Sequence, residues 1–183
     1  MNALAVLDAS GAVREEALLP ARSPELVGRM RAMASRHQLS RVAVATGPGS
    51  FTGLRVGVSF GLGLAMGLRI PIVPLSTLGI QASRSSEPVL AVADAGRGRV
   101  YFQAPGSNRG LAEPDGLPTT LPVVGWLLPT TEAAMKAAGL SFKPDSDMRS
   151  FGAAAALQLE SAREVPYGSL KLEYMQSFAA PAK

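Results

Sequence analysis

Two aspartates, Asp8 and Asp94, each close an apolar run. Three glycines, Gly47, Gly49 and Gly53, sit where a β-prone run, Arg41 to Thr46, gives way to a helical one. Carboxylates at strand ends can hold Mg²⁺ against phosphates, and a glycine loop at a helix start offers free backbone amides and a helix dipole to an anion. Each feature also has a plain structural reading, in which the aspartates brace turns and the loop is a tight turn. The loop has no lysine of the Walker type, Pro48 removes one amide, and the glycine spacing is one residue longer than in the dinucleotide fingerprint. Both readings stay open on the residues alone.

Other chemistries are excluded. The 183 residues contain no cysteine and one histidine, His37, so disulfides, thiolate metal sites and centres needing two imidazoles are absent. A chain of this length buries enough surface for a core without such staples. Only 17% of residues are charged, against roughly 25% in average soluble domains. The uncharged run Val56 to Leu68 has 13 residues, short of the about 20 that span a bilayer. The first ten residues lack a basic stretch and carry Asp8, unlike a secretory signal. A cytoplasmic protein with no membrane partner and no metal site is expected.

The net charge of +4 comes from the first half, where nine basic groups face five acidic ones up to residue 91. Arg22, Arg29, Arg31, Arg36, Arg41 and Arg55 have only Glu25 among them. They could dock a nucleic acid or an acidic protein surface, or form a solvated helix face.

Leu4 to Leu7 reads as a strand running into a turn at Asp8 to Gly11. Ser23, Pro24 and Glu25 start a helix whose buried face is Leu26, Val27, Met30, Met33 and Ala34. Strand 41–46, loop 47–53, helix 52–67 and strand 70–76 make a βαβ unit. A short helix 77–84 and two strands within 88–104, turning at Gly96 and Gly98, follow. Beyond Pro105 the pattern allows a short strand near Leu121 to Val124, alanine-rich helices at 133–138 and 153–163, and a last strand before a disordered tail.

The helix after the loop is the most informative element. Gly53, Gly57 and Gly61 recur every fourth residue and share a face. Each interior helical glycine costs about 1 kcal/mol relative to alanine, which close backbone packing offsets. The partner is either the protein's own sheet or first helix, or a helix of another subunit. Val56, Phe60, Leu62, Leu64, Met66 and Leu68 make the helix apolar almost all round, so it is expected to be covered on all sides.

GPGSFTGLRVGVSFGLGLA (47–65), IPIVPLSTL (70–78) and VLAVADAGRGRVY (89–101) resemble the bacterial TsaB, or YeaZ, family, over residues 1 to about 104. The resemblance implies an α/β fold of the actin-like, Hsp70-like ATPase type: two lobes on mixed RNase H-like sheets, here 1–92 and a reduced 93–183. It implies a non-catalytic scaffold or activator in making the threonylcarbamoyl modification of the adenosine beside the tRNA anticodon. The implied partners are a catalytic TsaD-like subunit, a small TsaE-like ATPase and, through the complex, tRNA, with a homodimer when alone. Pairing through the first-lobe helices would use Met30, Met33, Gly53, Val56, Gly57, Phe60, Gly61 and Leu64. Asp8, Ser10, Gly47, Gly49, Ser50, Asp94 and Gly96 would be vestigial phosphate loops, with ATP or ADP at most near the partner interface and none held tightly. The family's Asp-Thr-Ser is Asp8, Ala9 and Ser10 here, and its histidine and serine before the first helix are missing. The alternative is a self-sufficient ATP-dependent phosphotransferase or hydrolase of the same fold, using Asp8 and Asp94.

Overall fold

The computed structural model describes residues 1–107, 109–118 and 120–173. The chain opens with an antiparallel hairpin, β1 (Asn2–Leu7) and β2 (Val13–Leu19), in register from Asn2 opposite Leu19 to Val6 opposite Glu15. β2 escapes the hydrophobic pattern because Arg14, Glu15 and Glu16 interrupt it. The two glutamates are nevertheless partly covered, Glu15 by Arg36 and His37, and Glu16 by the Gly152 N–H, which donates to it at 2.7 Å.

Helix α1 (Leu26–Arg36) follows, starting just after Ser23 and Pro24. It buries Leu26 and Met33, whereas Val27 is 49% exposed. Strand β3 (Val42–Gly47), helix α2 (Phe51–Leu68) and strand β4 (Ile72–Ser76) form the expected βαβ unit, with the strands parallel from Val42 opposite Ile72. Ser50 caps α2 by accepting the Gly53 N–H, and Arg69 closes it in the left-handed conformation. Helix α3 (Thr77–Ser83) is capped in the same way by Ser76.

Strands β5 (Leu90–Gly96), β6 (Arg99–Gln103), β7 (Gly110–Ala112) and β8 (Val123–Trp126) form a mixed sheet in the order β7-β6-β5-β8, with β8 parallel to β5. A division at residues 92 and 93 would cut β5, which pairs with β8 from Leu90 onward, so all of β5 belongs with this sheet. Helix α4 (Pro129–Ala137) begins at its proline, earlier than expected, and α5 (Phe151–Leu159) covers β1 and β2. α3 and α5 pack on each other, and α3 also meets β3, β4, β5 and β8. These two helices thereby join the halves of the molecule.

In place of a last strand, the chain makes a single bridge, Val165 to Ile72. Pro166 has no N–H to continue a ladder, and the Tyr167 hydroxyl instead donates to the Ala65 and Ile70 carbonyls at 3.2 and 2.7 Å. Leu170 and Leu172 then cover Val44, Val58, Ala65 and Ile72. The expected tail, from residue 174, lies outside the described residues.

The glycine stripe divides between two roles. A Cβ on Gly61 would overlap the Val44 side chain, so this glycine lets α2 settle on its own strand β3. Gly57 has nothing within 4 Å of such a Cβ. Gly61 and Met33 are therefore core positions rather than partner-facing ones, because β3 already covers Gly61 and the protein's own interior already takes Met33.

This division predicts opposite signs for one substitution at two sites in urea unfolding. Gly57→Ala should raise stability by about 0.5–1 kcal/mol, the helix-propensity gain. Gly61→Ala should lower it by about 1–3 kcal/mol through overpacking.

Candidate functional site

A cleft of about 2460 Å³ opens between β1 with α1 on one side and β3 with α2 on the other. Three loops reach it: Asp8–Gly11 after β1, Pro48–Gly53 before α2, and Asp94–Arg97 between β5 and β6. Asp8, Ser10, Gly49, Ser50, Asp94 and Gly96, singled out from sequence, thus meet in one place. Gly47 does not. Its backbone is at φ +125, and a Cβ there would strike the Glu173 carbonyl, so its role is to admit the returning chain.

Both aspartates brace their own turns, and Asp94 also holds the segment before α4. Asp8 Oδ1 accepts from the Ser10 N–H at 2.9 Å, the Ser10 hydroxyl at 2.6 Å and the Ala12 N–H at 3.0 Å, while Oδ2 pairs with Arg14 at 2.6 Å. The Ser10 hydroxyl bond leads in holding its pKa down to about 2, with the amides and Arg14 adding to it against partial desolvation. Asp94 Oδ1 accepts from the Gly96 N–H at 2.7 Å and Oδ2 from the Leu128 N–H at 3.1 Å. A Mg²⁺-nucleotide would have to take these oxygens from their turns, so the residues do not fit that role as they stand. Among the described residues no group of three histidine or acidic side chains could hold a metal. His37 lies 3.4 Å from Glu15 at the end of α1. Desolvation alone would raise the Glu15 pKa, but the bonds from Arg36 and His37 outweigh it and leave it lowered.

The outer wall is apolar. A groove of about 450 Å³ between α1 and α2 is lined by Val27, Met30 and Ala34 on one side and Phe60, Leu64 and Leu68 on the other. Val56, Met66 and Leu68 are 40%, 53% and 48% exposed. Of the sequence-named interface residues, Met30, Phe60 and Leu64 line this groove, and Gly53, Val56 and Gly57 line the adjoining cleft. Val27 and Leu68 were not singled out. The four-residue spacing of Phe60, Leu64 and Leu68 is the signal that points to the latter. Among the arginines, Arg36 pairs with Glu15 from β2 and Arg55 stacks on Phe51 with its centroid 3.7 Å away.

By length and composition α2 would also pass as a membrane-crossing helix. Its Gly61 contact with β3 and the bonds from Tyr167 to Ala65 and Ile70 tie it to the protein's own core.

With strand-end loops converging on one cleft, the chain is an α/β protein, and its likeness to known proteins supports an actin-like, RNase H-like fold. A structure of YeaZ from Pseudomonas aeruginosa superposes with a TM-score of 0.67 at 19% identity, covering 94% of this chain and 93% of that one. A second structure, of a protein with similarity to peptidase YeaZ from Pseudomonas aeruginosa, gives 0.69 at 18% identity, with 95% and 94% covered. The family model for TsaD, tRNA N6-adenosine threonylcarbamoyltransferase, matches residues 30–113. The tRNA threonylcarbamoyladenosine biosynthesis protein TsaB of Haemophilus influenzae is 41% identical over 71 residues, 36% of this chain and 30% of that protein. TsaB of Bacillus subtilis is 40% identical over 78 residues, 41% and 34% of the two chains. The matched stretch spans about a third of these relatives' length. Over the matched stretch the chain is similar to TsaB proteins, and over nearly its whole length it shares the fold of YeaZ.

The Asp8 turn predicts an acid-side signature. A carboxylate held at about pKa 2 in the fold, against about 3.9 unfolded, contributes stability above pH 4 that is lost as pH falls toward 2. Thermal unfolding followed from pH 5 to 2 should show a smaller decline in Asp8→Asn than in the parent.

Proposed function

We propose that the chain is a non-catalytic scaffold or activator in tRNA threonylcarbamoyladenosine biosynthesis, pairing with a TsaD-like catalytic subunit. The observation that supports this most is the α1–α2 surface. Gly57 faces open space beside half-covered Phe60 and Leu64, which line the apolar groove between α1 and α2. Each large apolar side chain moved out of water there would contribute about 1.5–3 kcal/mol, and Gly57 would let the incoming backbone approach closely. A patch of this kind rarely stays in contact with water, so in the partner's absence the same face would support a homodimer.

The chemistry would reside in the partner. The engagement of Asp8 and Asp94 in turns supports this assignment over a self-sufficient phosphotransferase. ATP or ADP would enter only near the partner interface, and a small TsaE-like ATPase would join the assembled pair. tRNA would be held mainly by the partner, with Arg29, Arg31 and Arg41 adding a weak positive fringe. All of this would take place in the cytoplasm.

Size-exclusion chromatography and calorimetry with a TsaD-like subunit test the reading. Gly57→Leu should weaken pairing at least tenfold while the monomer unfolds as cooperatively as the parent. Undiminished binding by Gly57→Leu would remove the proposed interface. Micromolar binding of ATP and Mg²⁺ to the isolated chain, lost in Asp8→Ala, would favour the enzyme instead.

A further inference from the structure

The mixed sheet of the second half leaves one corner uncovered. On one face, Leu78 of α3 forms a buried cluster with Ala91, Ala93 and Tyr101, and Ala82, Ala95 and Leu111 pack against it. The strand register carries that face outward past the helix. Trp126 of β8 and Tyr101 of β6 both stand opposite Ala93 of β5, and Arg99, two residues before Tyr101, shares its side of the sheet. Arg97 sits at the tip of the β5–β6 hairpin beside them. Together with Leu128 these residues line the cleft wall contributed by the second half.

The corner is built against ordinary preference. Trp126 is the chain's only tryptophan and remains 41% exposed, although Val123 and Val124 on the same strand are buried. A ring of this size is usually well buried. Arg97 is held at φ +57 between Gly96 and Gly98, both also left-handed, where a third glycine would meet no steric penalty. Among the described residues neither Arg97 nor Arg99 has an ion pair, whereas Arg14, Arg36, Arg84 and Arg109 each take an acid. Asp94, the acid of this hairpin, holds the Gly96 and Leu128 N–H groups instead.

We propose that this corner binds an unpaired RNA segment, with one base stacked on Trp126 and the adjacent phosphates held by Arg97 and Arg99. The inference deepens the reading of the chain as part of tRNA modification and rests on it. β8 and β6 flank β5, so their backbones stand about 10 Å apart, and the floor between them is made by Ala93 and Ala95. That trough admits a planar base beside the indole. Every base has a π-face, and guanidinium groups hold phosphates by charge and forked N–H donors, so the pair of features suits a single strand of any sequence. An acidic peptide would use the arginines and leave the ring idle. A mononucleotide site encloses most of its ligand, whereas this wall is open.

The tryptophan supplies its own signal. Oligouridylate added to the full chain at low salt should quench Trp126 fluorescence, with an affinity that falls steeply as salt rises. Read by anisotropy of labelled oligouridylate, Trp126→Ala should weaken binding about tenfold. Arg97→Gly relieves the left-handed turn, so it should unfold at equal or higher urea concentration. It should nevertheless bind several-fold more weakly, with a salt slope smaller by about one. This opposite movement of stability and affinity separates recognition from folding, and it holds even if Trp126→Ala fails to fold. Absence of quenching, or unchanged affinity in Arg97→Gly, would overturn the site. ATP or polyglutamate binding as tightly as the RNA would overturn the single-strand assignment. Both variants should pair with a TsaD-like subunit as the parent does, because the corner lies on β5, β6 and β8 rather than on α1 and α2. Pairing without RNA binding would remove this site and leave the partner role standing, while RNA binding without pairing would do the reverse.

Discussion

The contact between Gly61 of α2 and Val44 of β3 is the constraint on which the first half of this molecule depends. With no side chain at 61, an 18-residue helix lies close on its strand, buries Val58 and Ala65, and gives the returning segment at Tyr167 to Leu172 a surface to pack on. Once that face is committed inward, the other apolar residues of α2 have nowhere to go but outward. The exposure of Val56, Met66 and Leu68 is a geometric result of seating an apolar helix on one side only. The low charge content of the sequence is thereby concentrated where a second protein would cover it.

The cleft has a different logic. Its loops occupy the places where strands of this class deliver ligand-binding residues, yet their carboxylates hold the loops' own turns together. Bonds from Ser10 to Asp8, and from Leu128 to Asp94, engage groups suited to a cation as structural clasps. On the proposed reading, the cleft would be kept for its shape, and that shape would serve assembly. The similarity to TsaB proteins extends over about a third of those relatives' length.

The βαβ unit from Val42 to Ser76 was legible because its signals agree: β-branched residues, a glycine loop, a helical apolar period and a second β-prone run. β2 was not, since Glu15 and Glu16 look solvent-facing until Arg36, His37 and the start of α5 are brought to them by the fold. The convergence of the Asp8, Ser50 and Asp94 loops could be expected only through the family resemblance, because contacts between distant loops leave no local period. The division of the glycine stripe was invisible for the same reason. Spacing puts Gly53, Gly57 and Gly61 on one face, but only the position of Val44 decides which glycine meets the protein itself.

The central claim is that the outward face of α2 is a protein-binding face. Hydrogen exchange read by mass spectrometry over residues 51–68, with and without a TsaD-like subunit, tests it most directly. The account predicts marked slowing of exchange in this helix and in residues 26–36 on addition of the subunit, with little change in 129–137. Unchanged exchange in α2 while the two proteins are demonstrably bound would contradict it.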